Sequence, residues 1–335
     1  MNIVFLTTRL EKPSARFRLL QYLPFIEEKG WNYEVQLIPK GSFERRSFFS
    51  ALSEFDVVFL QKRLFGFLDF RALRKNSKKL IYDFDDAVMY KDSGAQAETG
   101  TQSDPSRQKR FERTVGSADL VIAGNTNLRE LASRFSKNIE VIPTPVDTSR
   151  YGKKTYKTEN PTEIVLGWMG SRSTLFYLEG IRKILDKVHK LCPETILRVI
   201  ADVEYEASAG GMPVENKKWS FDDEPSDLRG FDIGLMPLTA DPWSRGKCGF
   251  KLLQYMASGV ASIASPVGVN QDILKSSSNG ILASGTSAWV DSLVRLIKDP
   301  VLRAELGASG RRSLEEKYSL SATAPKLLNV IEDLV

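Results

Sequence analysis

Chemistry concentrates in a short run near residue 250. Arg245, Gly246, Lys247 and Gly249 precede a helical pattern that starts near Phe250 and closes at Gly259. Glycines and cations at a helix N-terminus suit an anion, because free N–H groups and the helix dipole both favour phosphate. Lys251 and Gln254, three apart, share one helix face and can address one ligand. A second concentration, Asp83, Asp85 and Asp86, stands at the end of an apolar strand pattern. Carboxylates there can orient an acceptor or take a proton, and Asp83 or Asp86 can equally cap the next helix. Ser14-Ala15-Arg16-Phe17-Arg18 puts Arg16 and Arg18 near a helix start, suited to a diphosphate or a phosphorylated acceptor. No metal site is expected. The single histidine, His189, reads as a helix-surface residue, the two cysteines are Cys192 and Cys248, and an isolated acidic cluster lacks the further ligands Mg²⁺ needs.

Short apolar strands alternating with amphipathic helices must position these groups, which predicts an α/β fold with parallel sheets. Strands are expected at Asn2–Thr7, Tyr33–Ile38, Val57–Leu60, Lys79–Tyr82, Leu120–Ala123 and Glu140–Ile142. Ser14 reads as the N-cap of one helix running to a stop at Gly30, and Asp92–Pro105 as a polar loop. A second series follows the polar stretch Tyr151–Pro161, with strands at Ile164–Trp168, Ile196–Ala201, Ile233–Met236, Ser262–Ala264 and Gly280–Leu282. Two such units in tandem imply domains at 1–157 and 158–319, with ligands beyond the carboxyl ends of the strands. A last helix at 320–335, with Leu327, Leu328, Ile331 and Leu334 on one face, is expected to return to the first domain.

Composition excludes several classes. With 335 residues, 42% hydrophobic and 27% charged, the chain is an ordinary globular protein. No apolar run approaches the ~20 residues of a membrane span, and Met1-Asn2-Ile3-Val4-Phe5 opens straight into a strand, so a cytoplasmic location is expected. Residues 1–160 carry 27 Lys and Arg against 20 Asp and Glu, a basic half able to touch an anionic membrane face peripherally. No motif with interleaved stacking aromatics suggests nucleic acid. After the first strand, Thr7-Thr8-Arg9-Leu10-Glu11-Lys12 lacks the Gly-x-Gly-x-x-Gly of a dinucleotide-dependent oxidoreductase.

The run Lys251-Leu252-Leu253-Gln254-Tyr255-Met256-Ala257-Ser258-Gly259-Val260-Ala261-Ser262-Ile263-Ala264-Ser265 resembles the donor-binding segment of the family 4 (group 1) retaining glycosyltransferases. Gly167-Trp168-Met169-Gly170-Ser171, Ala118–Asn125 and Val141–Asp147 are similar to further segments of that family, in the same order. The resemblance implies a GT-B architecture: two Rossmann-like domains facing a central cleft. It also implies transfer of a hexose-type sugar, with retention and without a metal or cofactor, from a UDP- or GDP-linked donor. The acceptor would be a glycan, lipid-linked or protein hydroxyl. By this resemblance Gly170, Ser171, Arg172, Trp219, Gly249, Phe250 and Gln254 hold the donor. Arg245, Lys247, Lys251, Asp85 and Asp86 act in catalysis, and Arg16 and Arg18 take a phosphate or the acceptor. The family's two glutamates, eight apart, are replaced by Gly246 and Gln254, which admits a second reading as an inactive partner or scaffold subunit of the same fold.

Overall fold

The structure is a computed structural model that describes residues 1–93, 102–156, 163–274 and 278–335. Residues 94–101 of the expected loop and the expected boundary at 157/158 lie outside the described residues. Two compact units are present. The first comprises Met1–Pro145, Asp241–Cys248 and Leu320–Val335; the second comprises Val146–Ala240 and Gly249–Ser319. Residues 241–248 thus belong with the first unit, although the sequence reading ran them on with the second.

The first unit holds six parallel strands: β1 Asn2–Thr7, β2 Asn32–Leu37, β3 Val57–Gln61, β4 Lys79–Phe84, β5 Leu120–Ala123 and β6 Ile139–Val141. Their order is β2-β1-β3-β4-β5-β6. Strands β1, β3, β4 and β5 are buried on both faces, which explains why their sequences are runs of apolar residues. Val4, Leu6, Val58, Leu60, Tyr82 and Phe84 pack on one face. Ile3, Phe5, Phe59, Ile81 and Ile122 pack on the other.

That second face is covered by Leu19, Tyr22 and Ile26 and by Ala324, Leu327, Leu328 and Ile331 of the last helix, Leu320–Glu332. Leu327 is 2% exposed. Leu327→Ala is therefore expected to destabilise the first unit by about 2–5 kcal/mol, read as a shift of its denaturant midpoint with the slope unchanged.

The region after β1 differs from the single helix expected. A helix spans Pro13–Arg18, Leu19 breaks it at φ −134, a 3₁₀ turn follows, and a second helix covers Leu23–Glu28. Pro13 opens the first helix after Lys12, so Ser14 is not the cap. Pro24 sits in the first turn of the second helix, where its missing N–H costs nothing. Pro105 likewise opens a helix, Pro105–Ser117, with Asp104 capping the N–H of Arg107, so the expected loop ends one residue earlier.

The second unit holds β7 Ile164–Met169, β8 Thr195–Ala201, β9 Val214–Lys218, β10 Ile233–Met236, β11 Ala261–Ala264 and β12 Ile281–Leu282. All pairings are parallel, in the order β12-β11-β10-β7-β8-β9. In each sheet the strand order reverses once, between β1 and β3 and between β7 and β10, and doubly wound sheets bind ligands beyond the carboxyl ends of strands at that reversal.

Candidate functional site

In the second unit, β7 runs out at Met169 and turns through Gly170 and Ser171 into a 3₁₀ turn, Arg172–Thr174. A side chain on Gly170 would meet the Trp168 ring at 2.2 Å, so only glycine fits there. The Thr174 hydroxyl accepts from the Ser171 N–H at 3.1 Å, and Asp202 accepts the Arg172 N–H at 2.7 Å, fixing this turn at the end of β7.

After β10 comes the helix Phe250–Ala257. Gly249 precedes it at φ +67, where a side chain would be strained and would also meet Ile273 at 2.7 Å. Tyr255 locks the helix to the sheet: its hydroxyl accepts from the Met169 N–H at 3.2 Å and donates to the Leu235 carbonyl at 3.2 Å. Lys251, in the first turn, holds Nζ 5.2 Å from the centroid of the Trp168 ring, at the end of β7. Phe250 packs half-buried against the core beneath.

Gln254 is 3% exposed. Its Nε2 donates to Glu224 Oε1 at 2.8 Å and to the Tyr151 hydroxyl at 3.4 Å. The same carboxylate accepts from Tyr151 at 2.6 Å and from Trp219 Nε1 at 2.8 Å. A carboxylate only accepts, so three donors converge on Glu224 and the Gln254 amide must point its nitrogen there. Burial and the adjacent Glu224 push the Tyr151 phenol well above its usual range. Trp219 is thereby held by its ring nitrogen, half-buried against the core.

In the first unit the charged residues at the strand ends are largely committed to one another. Arg18 is 3% exposed; its Nε donates to both Asp83 oxygens at 3.0 and 2.9 Å, and its Nη1 to the Ile142 carbonyl at 2.8 Å. Burial alone would lower the Arg18 pKa, but Asp83 outweighs it and keeps the guanidinium charged. The Arg18 side chain, expected to take a phosphate or the acceptor, is here bonded to Asp83 at the carboxyl end of β4 and to the chain just after β6. Arg16 lies in the same helix, 5.4 Å from the Phe17 ring centroid.

Lys62, which the sequence reading passed over, pairs with Asp85 at 2.8 Å and with Asp86. Burial works to raise the Asp85 carboxyl, yet Lys62 and Arg18 hold it below the usual range. Lys62 is the one non-glycine among the described residues at positive φ, 57°.

The segment 241–248 is anchored within this unit. Asp241 accepts from Gln102 Nε2 at 2.9 Å and from the Ser244 N–H at 2.9 Å. Asn125 Nδ2 donates to the carbonyls of Gly246 and Lys247 at 3.1 and 3.2 Å. A side chain on Gly246 would stand 2.5 Å from Ala87 Cβ, so the glycine at this position is dictated by packing. Arg245 is exposed, and Lys247 Nζ lies 5.7 Å from the Trp243 centroid. Burial, with Asp85 and Asp86 adding to it, pushes the Cys248 thiol up to about 11. The sequence reading also missed Glu224 and Tyr151; the signal for Lys62 was available, since it follows β3 as Asp85 follows β4.

Two six-stranded parallel sheets, each with one reversal of strand order, are the architecture of GT-B proteins, and the comparisons with known proteins agree. Sucrose-phosphate synthase from Thermosynechococcus elongatus is similar in structure at a TM-score of 0.74 and 14% identity, over 99% of this chain and 98% of that one. HepE of Anabaena, solved with UDP and glucose, is similar at 0.69 and 14%, over 98% and 99%. Residues 163–299 match the family described as glycosyl transferases group 1. The GDP-mannose-dependent monoacylated alpha-(1-6)-phosphatidylinositol monomannoside mannosyltransferase of Corynebacterium glutamicum is 24% identical over 239 residues, 64% of this chain. The chain spans 61% of that relative's length. The chain thus shares its fold with these solved structures, and its residues 163–299 match the group 1 glycosyl transferases.

Proposed function

We propose that the protein transfers a hexose-type sugar from a nucleotide-diphosphate sugar to an acceptor hydroxyl, with retention and without a metal. The observation that carries this reading is Lys251 in the first turn of Phe250–Ala257, set beside the end of β7 at the reversal of the second sheet. A fixed ammonium and helix N–H groups there stabilise a leaving diphosphate electrostatically, with no covalent nucleophile required. Arg245 and Lys247, which the resemblance also gives a catalytic role, belong to the first unit. Gly170, Ser171 and Arg172 hold the donor at the end of β7, with Gly249 and Phe250 at the helix start. Among the described residues Gln254 Oε1 accepts no hydrogen bond, which leaves it for a ribose hydroxyl.

Acceptor chemistry is assigned to the first unit. Asp86 has a quarter of its side chain exposed beside Lys62, whereas Asp85 is almost wholly buried and acts by holding that lysine. Arg16 remains a phosphate or acceptor contact. Among the described residues no helix is long and apolar enough to cross a membrane; the protein would work in the cytoplasm, touching the inner membrane face peripherally.

The relatives direct the choice of donors: HepE was solved with UDP, and the Corynebacterium relative is GDP-mannose-dependent. Release of UDP or GDP from a panel of UDP- and GDP-sugars, with glycan and lipid-linked acceptors, tests the reading; no release from any donor counts against it. Activity is expected to persist in excess chelator, because the carboxylates of Asp83, Asp85 and Asp86 are already paired with Arg18 and Lys62. A complete loss restored by Mg²⁺ would assign the acidic cluster to a metal instead.

A further inference from the structure

A separate cavity of about 300 Å³ opens at the carboxyl ends of β2, β1 and β3 in the first unit. Arg9, Lys12, Lys40 and Arg63 line it together with Thr8 and Pro39, and no acidic residue does. Among the described residues, none of the four cations forms an ion pair, in contrast to Arg18 and Lys62 close by in the chain. The cavity also lies at the reversal between β1 and β3, where a doubly wound sheet binds its ligand.

Its walls are built. Gln61, 3% exposed, accepts from the Thr7 hydroxyl at 2.8 Å and donates to the Ser14 carbonyl at 2.6 Å, tying the loop that carries Arg9 and Lys12 to β3. The N–H of Arg63 donates to the Gln61 carbonyl at 2.6 Å across Lys62, so the left-handed backbone at Lys62 aims the chain at Arg63 into this wall. On the other side Lys40 follows β2, and its carbonyl and that of Pro39 are held by Arg45. Burial lowers the Arg63 pKa, the charges of Arg45 and Arg110 add to that, and Asp69 opposes it. Like charges gathered without a counter-charge are costly unless an anion joins them, and guanidinium with ammonium groups around a polar cavity suit phosphate oxygens.

We propose that this cavity is a binding site for a phosphate or diphosphate group carried by the acceptor. The assignment to the acceptor rests on the glycosyltransferase reading above; the anion site does not. The site is distinct in sequence and in unit from Lys251 and the donor residues, so acceptors bearing a phosphate are selected over neutral ones.

The test titrates pyrophosphate calorimetrically into the wild-type protein and a Lys40→Ala, Arg63→Ala double variant, each with and without UDP and GDP. Both side chains are exposed, so melting of the double variant should match wild type. The expected result is pyrophosphate affinity lowered by about tenfold or more, the loss of charged hydrogen bonds, with nucleotide binding unchanged. Equal affinity in the two proteins overturns the proposal. Pyrophosphate binding that needs Lys40 and Arg63, in a protein that binds neither nucleotide, leaves the anion site standing and defeats the donor reading. Co-sedimentation with phosphatidylcholine vesicles containing phosphatidylglycerol identifies the source. Sedimentation lost in the double variant assigns the phosphate to a lipid headgroup. Pocket-dependent pyrophosphate binding without sedimentation assigns it to a soluble acceptor.

Discussion

Lys251→Ala is expected to lower kcat/KM by roughly 30- to 1000-fold, the equivalent of ~2–4 kcal/mol of transition-state stabilisation. The ammonium is half-exposed at the start of a helix whose hold on the sheet comes from Tyr255 and buried leucines. Removing it takes away charge at the leaving group without opening the core, so melting should barely move. The loss should fall on kcat more than on KM, because the diphosphate gains charge as the sugar departs. Wild-type-like turnover in this variant would remove Lys251 from the mechanism.

A second large effect is expected from Gln254→Glu, which restores the residue type usual in the resembled family. Here the change sets a carboxylate where Nε2 now stands, 2.8 Å from Glu224 Oε1. Two buried carboxylates that close cannot both ionise and must share a proton. The second unit should lose about 3 kcal/mol at pH 8. The sign of the pH dependence follows: the folded state now favours the protonated form, so the deficit is full above the raised folded-state pKa and shrinks as pH falls toward the ordinary glutamate range. Thermal melts at pH 8 and pH 5 check this, and a deficit larger at pH 5 would contradict it. Adding Glu224→Gln should recover most of the loss, since one acceptor and one amide then face each other again.

The same network shows what the sequence could and could not yield. The strands β1, β3, β7 and β10 are legible because burial on both faces demands continuous apolar residues. β9 was not expected: Val-Glu-Asn-Lys-Lys is an exposed edge whose polar residues guard against further pairing, and its sequence looks like a loop. The motif around Lys251 was legible because its residues are neighbours in the chain. Glu224 was not, since its role is made by Tyr151, Trp219 and Gln254, and only the fold brings Tyr151 and Gln254 to it. Arg18 carried the right charge for phosphate, and nothing local revealed that Asp83 would claim it.

The division of the chain bears on how it is made. The first unit's last strand is complete at Val141, yet the face bearing Ile3, Phe5 and Phe59 receives Leu327, Leu328 and Ile331 only from the final helix. During translation every residue of the second unit must leave the ribosome before that face is closed. A nascent chain halted short of Leu320 would leave part of that apolar face, beside Leu19, Tyr22 and Ile26, without its cover, the kind of surface that chaperones retain and that drives aggregation.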